Sequence, residues 1–114
     1  MKVYIFDWRG TLDQVDDPVA LITRLRAEGH RVFVTSSFLP PEGNKSVNAS
    51  EGFLRKGCGV SNTIEEFQDY GVESTLPLIF VDDEPWYLTD YLELLSMRGY
   101  TASTVTIQDF LETL

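Results

Sequence analysis

The chain has 114 residues, 43% of them hydrophobic, with two Trp, five Tyr and seven Phe, so its length and composition are those of a compact domain that buries a core and exclude disorder as the default. Eighteen acidic against nine basic residues leave a net charge of −9, which disfavours nonspecific attraction to nucleic acid or to an anionic membrane. No apolar run reaches membrane-spanning length, and the lone Cys58 cannot form an intrachain disulfide, which makes the reducing cytoplasm the expected compartment.

The first element predicted is a strand. Val3 to Phe6 are the β-branched and aromatic residues that fill a buried strand, and the run stops at one acid, Asp7, followed by a turn at Gly10. In open parallel sheets ligands bind beyond the carboxyl ends of the strands, so Asp7 is placed for chemistry, although an ordinary turn acid would also fit there. Asp16-Asp17-Pro18 then opens a helix with Val19, Ile22 and Leu25 at helical spacing, and Gly29 ends it. A second strand, Arg31 to Ser37, ends in the hydroxyls of Thr35, Ser36 and Ser37. These can hydrogen-bond phosphate oxygens or cap the next turn.

Residues 38–62 are polar and rich in Pro and Gly, with room for a short helix over Asn48 to Lys56. A further helix precedes the next strand, Leu76 to Val81, which again ends in acids, Asp82 and Asp83. Two carboxylate-bearing strand ends in one small sheet can face each other. They repel unless a cation lies between them, and hard oxygen donors suit Mg²⁺ better than zinc or copper. Asp83 and Glu84 can equally serve the start of the following helix. That helix is predicted over Trp86 to Met97, with Leu88, Tyr91, Leu92 and Leu95 on one face and Gly99 as its stop. An edge strand over Tyr100 to Val105 and a terminal helix over Ile107 to Leu114 complete the chain. Alternating strands and helices indicate a mainly parallel α/β sheet in a single domain spanning 1–114.

Phe6-Asp7-Trp8-Arg9-Gly10-Thr11-Leu12 resembles the first motif of the haloacid dehalogenase (HAD) superfamily, Asp-x-Asp-Gly-Thr after a hydrophobic strand. Val32 to Thr35 is similar to the second motif and Ile79-Phe-Val-Asp-Asp83 to the fourth. The resemblance implies a Rossmann-like three-layer α/β/α sandwich without a cap domain, Mg²⁺ dependence, and attack by Asp7 on a phosphoryl group to give an aspartyl phosphate. It also implies that Thr35 and a lysine clamp the phosphoryl oxygens, while Asp7, Asp82, Asp83 and the Arg9 carbonyl hold the metal. Lys56 is nearest the usual position of that lysine, with Lys45 as the other choice. Arg9, Gly10 and Ser36 are the candidate substrate contacts.

The chain departs from the pattern at Arg9, where the phosphatases of the family carry the Asp that protonates the leaving group and then activates water. A guanidinium stays protonated and offers no acceptor lone pair, so it cannot take that role. Its planar fork can instead pair with phosphate, or it can turn to solvent or to Asp13, Asp16 or Asp17. Two functions follow as expectations: a slow or altered Mg²⁺-dependent hydrolase or transferase of the phosphatase type, or a noncatalytic HAD-like protein that binds metal, phosphate or a protein partner. An open site without a cap suits a large phosphorylated substrate or a partner protein acting as a lid.

Overall fold

The computed structural model describes residues 1–36, 44–55 and 59–114. Five parallel strands form one sheet in the order β3-β2-β1-β4-β5, with β1 Val3–Asp7, β2 Arg31–Ser36, β3 Phe53–Arg55, β4 Leu78–Asp82 and β5 Ala102–Thr106. The helices are α1 Pro18–Ala27, α2 Lys45–Ala49, α3 Val60–Asp69, α4 Thr89–Met97 and α5 Ile107–Glu112. Short 3-10 turns lie at Leu12–Gln14 and Pro85–Leu88.

The sheet has a core on each face because strand residues alternate sides. Val3, Ile5, Phe33, Leu78 and Phe80 join Val60 and Phe67 of α3 and Leu95 of α4 in one cluster. Tyr4, Phe6, Val32, Val34 and Val81 join Leu21, Ile22 and Leu25 of α1 and Phe110 of α5 in the other, against which Val47 and Ala49 of α2 also pack. The result is the expected three-layer, Rossmann-like α/β/α sandwich. Every helix and strand among the described residues belongs to one of these layers, with no cap over the sheet edge among them. β1, buried at all five positions, lies at the centre, as its unbroken apolar run requires.

Local chemistry explains the boundaries. The Asp17 side chain accepts the Ala20 N–H at 3.1 Å, and Pro18 starts α1 where its missing N–H costs nothing. The short helix expected over Asn48 to Lys56 is instead Lys45–Ala49. The Asn44 side chain caps it by accepting the N–H groups of Ser46 and Val47, both at 3.0 Å, and the chain leaves helical geometry at Ser50. Phe53–Arg55 then form a fifth strand that the sequence did not announce, paired in parallel with β2 through Val34↔Phe53. The helix expected from Trp86 begins as a 3-10 turn and becomes α-helical only at Thr89, because Pro85 and the turn after Asp83 tighten its entry.

Candidate functional site

Chain order runs outward from β1 to β2 and β3 on one side, then returns to β4 and β5 on the other. The switch point therefore lies between β1 and β4, where a doubly wound sheet leaves its crevice. Asp7 ends β1 and Asp82 ends β4 at this crevice, one position beyond the paired Phe6↔Val81. Thr35 is the register partner of Asp7 on β2. Alternation puts Asp7, Thr35 and Asp82 on the face that carries α3 and α4, in line with Ile5, Phe33 and Phe80.

One carboxylate oxygen from each of Asp7, Asp82 and Asp83 can be chosen so that all three lie within 4.8 Å of one another. Asp7 and Asp82 are 5% and 2% exposed, which keeps two acids largely out of water, while Asp83 is exposed at the rim. The Glu84 N–H donates to Asp82 Oδ1 at 3.0 Å and fixes that carboxylate against its own turn. Partial burial of the Asp83 carboxyl, and then its hydrogen bond with Asp82, hold its pKa above the ordinary aspartate range.

The opposing wall is the turn after β1. Trp8 N–H donates to the Thr35 carbonyl at 2.9 Å, and Gly10 N–H donates to Asp13 Oδ1 at 2.8 Å. Gly10 has a φ of +75°, and a Cβ built there would come within 2.5 Å of Asp83 Oδ2. The backbone conformation favours glycine, and a Cβ here would push the exposed Asp83 carboxylate aside. The Thr11 hydroxyl beside it is fully buried without a hydrogen-bond partner.

The remaining expected residues divide. Arg9 lies exposed on the turn next to Gly10. Thr35 is in place beside Asp7, but its hydroxyl donates to the Leu54 carbonyl of β3 at 2.7 Å. A phosphoryl oxygen would have to compete for that proton. Ser36 is buried and, one residue along β2, faces the opposite side of the sheet. Lys56 lies outside the described residues, and Lys45 is exposed at the start of α2. Sequence reading did not single out Thr11 or Trp86, which is 69% exposed just beyond the Asp82-Asp83 pair. Both were legible as neighbours of the acids, but their burial and exposure follow from packing.

No protein-family model matches the chain, and no curated protein matches it. The chemistry of the crevice therefore rests on its own residues. Three oxygen donors of one sign, two of them buried, fit a hard divalent cation.

Proposed function

We propose that this chain is a HAD-like, Mg²⁺-dependent phosphoryl-transfer enzyme of the phosphatase type, slowed or redirected by Arg9. The observation that carries the reading is the convergence of Asp7, Asp82 and Asp83 at the switch point, with oxygens within 4.8 Å. A bound Mg²⁺, held by these carboxylates together with the Arg9 carbonyl, would neutralise charge on the nucleophile and on the phosphoryl oxygens.

Asp7, at the end of the central strand, is the nucleophile. Its carboxylate oxygen bonds to phosphorus, the bond from phosphorus to the leaving oxygen breaks, and that oxygen departs with the electron pair. Water then cleaves the aspartyl phosphate, releasing phosphate and restoring Asp7. Arg9 can neither protonate the leaving oxygen nor take a proton from that water, and positioned acid–base catalysis is worth about 10²–10⁴-fold. Its fork of donors suits the phosphate instead.

A second reading, a protein that binds cation and phosphate without turnover, is favoured by Arg9 and by the engagement of the Thr35 hydroxyl with Leu54. The discriminating experiment is Mg²⁺-dependent phosphate release from an activated phosphate ester by the native chain, Asp7→Asn and Arg9→Asp. The enzyme reading expects activity that disappears with Asp7→Asn or on removal of Mg²⁺, and a rise of about 10²-fold or more in Arg9→Asp. No turnover by any variant, with Mg²⁺ still bound, would leave the binding reading standing.

A further inference from the structure

The two edges of the sheet are finished differently. β3 is three residues long and ends in the exposed Arg55, whose backbone N–H is met by the Glu66 carboxylate of α3. Shortness, charge and a capped donor keep an edge strand from pairing with another chain. β5 has none of them. It is five residues long and rich in β-branched Thr and Val, and from Gly99 to Gln108 the chain carries no charge and no proline, although 24% of all residues are charged. The register fixes which of its groups are free. Leu78 pairs with Ala102 and its N–H donates to the Thr101 carbonyl at 2.8 Å, so Ser103 and Val105 turn their N–H and C=O groups toward β4, while Ala102, Thr104 and Thr106 turn theirs outward. Among the described residues these outward groups have no backbone partner, except that the first turn of α5 takes the Thr106 carbonyl.

We propose that β5 is an interaction edge whose occupant is a second copy of this chain, the two β5 strands pairing antiparallel about a two-fold axis at Thr104. The strand complements itself in that register. The two Thr104 residues exchange N–H to carbonyl bonds, and each Ala102 carbonyl accepts the Thr106 N–H of the other copy. The side chains that meet across the axis are Thr104 with Thr104, Ala102 with Thr106, and Ser103 with Val105. Charge selects this occupant: two chains of −9 can approach along an uncharged seam that sets no like charges opposite each other, whereas an edge built for a charged peptide would carry the complementary charge. The helix beside the edge agrees. The Phe110 ring of α5 meets those of Tyr4 and Phe6 of β1 with centroids 5.3 Å apart, and Leu111, about 100° farther round the helix, lies on the side away from β1, 41% exposed. Antiparallel pairing sets the two acid crevices at opposite ends of the pair, so the inference stands apart from the phosphoryl-transfer reading.

Sedimentation equilibrium of the native chain should show the mass rising from 12.9 kDa toward twice that value between about 1 µM and 1 mM. Thr104→Lys puts two ammonium groups at the two-fold axis and should weaken association at least about tenfold, while Gln68→Lys, the same charge change on exposed α3, should leave it as it was. Amide hydrogen exchange locates the contact. In the associated native chain the Thr104 and Thr106 amides should be protected, and that protection should vanish on dilution and in Thr104→Lys. The Ser103 and Val105 amides, bonded to β4, should stay protected throughout, which shows that the variant is folded. A mass that remains at 12.9 kDa up to about 1 mM, a dimer indifferent to Thr104→Lys, or a dimer in which Thr104 and Thr106 exchange freely overturns the inference. Protection of these two amides in a monomer also refutes it and assigns the edge to a segment of the same chain.

Discussion

Gly10 shows how one residue without a side chain shapes the crevice. With its φ of +75° and the Asp83 carboxylate within 2.5 Å of a would-be Cβ, Gly10→Ala should retain the fold, cost about 1–2 kcal/mol in a denaturant titration, and displace Asp83 enough to weaken divalent-cation binding several-fold by calorimetry. Thr11 next to it buries a hydroxyl with no partner, a group that costs roughly 1–3 kcal/mol to desolvate. Thr11→Val keeps the branched shape and removes that cost, so its melting temperature should rise by several degrees. Tyr4 gives the stability a pH dependence at the alkaline end. Its ring is 8% exposed against His30 and Phe110, and burial, then the nearby Glu28 charge, raise its phenol pKa above the ordinary value of 10.0. A raised folded-state pKa means that the linked stability is complete below the unfolded value and is lost as pH rises through the folded one. Alkaline unfolding should therefore steepen above pH ~10 by up to ~1.4 kcal/mol per pH unit, and Tyr4→Phe should remove that component in a pH series of urea melts. Asp7 and Asp82 were legible as site residues because each acid ends an apolar run. The hydrogen bond of Thr35 to Leu54 was not, because β3 had to be recognised first.

Between elements, Arg31 is the most heavily bonded side chain among the described residues. Its Nη2 donates to Glu51 at 2.8 Å and to the Tyr70 carbonyl at 2.7 Å, its Nη1 donates to the Gly71 carbonyl at 2.8 Å, and its Nε also reaches Glu51. One guanidinium thereby ties the start of β2 to the α2–β3 connection and to the end of α3. The hydrogen bond with Glu51 raises its pKa further, so it is charged under all ordinary conditions. The ion pair itself is partly solvated, with the two side chains 20% and 22% exposed, so the bonds to carbonyls carry much of the effect. Arg31→Ala should cost about 2 kcal/mol by urea midpoint, and Arg31→Lys should recover less than half, since an ammonium cannot span three acceptors in a plane. The elements best read from sequence were those with local signals: the Asp17-Pro18 start of α1 and the Gly99 stop after α4. The 3-10 entry at Pro85 and the strand Phe53–Arg55 carry weak local signals, and a three-residue edge strand is stable only through its neighbour β2.

For the molecule as a whole, with a net charge of −9 and three acids converging in the crevice, any cation bound there by the folded state alone would stabilise the fold. On the proposed reading, Mg²⁺ at about 100 times its Kd should stabilise the native chain by ~2.7 kcal/mol, a rise of roughly 10 °C in Tm, while Asp82→Asn and chelator-treated protein should show almost none of it. Differential scanning calorimetry with and without Mg²⁺ reads this directly. No helix among the described residues is long and apolar enough to cross a membrane. By itself the sequence determined the α/β class, the parallel pairing and the two strand ends that carry acids, because apolar runs, alternating helices and terminal carboxylates are local patterns. Only the tertiary structure decided that β1 and β4 are neighbours at the switch point, that the Leu54 carbonyl of a short β3 accepts the Thr35 hydrogen bond, and that Trp86 stands exposed. Strand order, hydrogen-bond partner and solvent exposure depend on contacts between residues far apart in the chain, and these exist only once both faces of the sheet are packed.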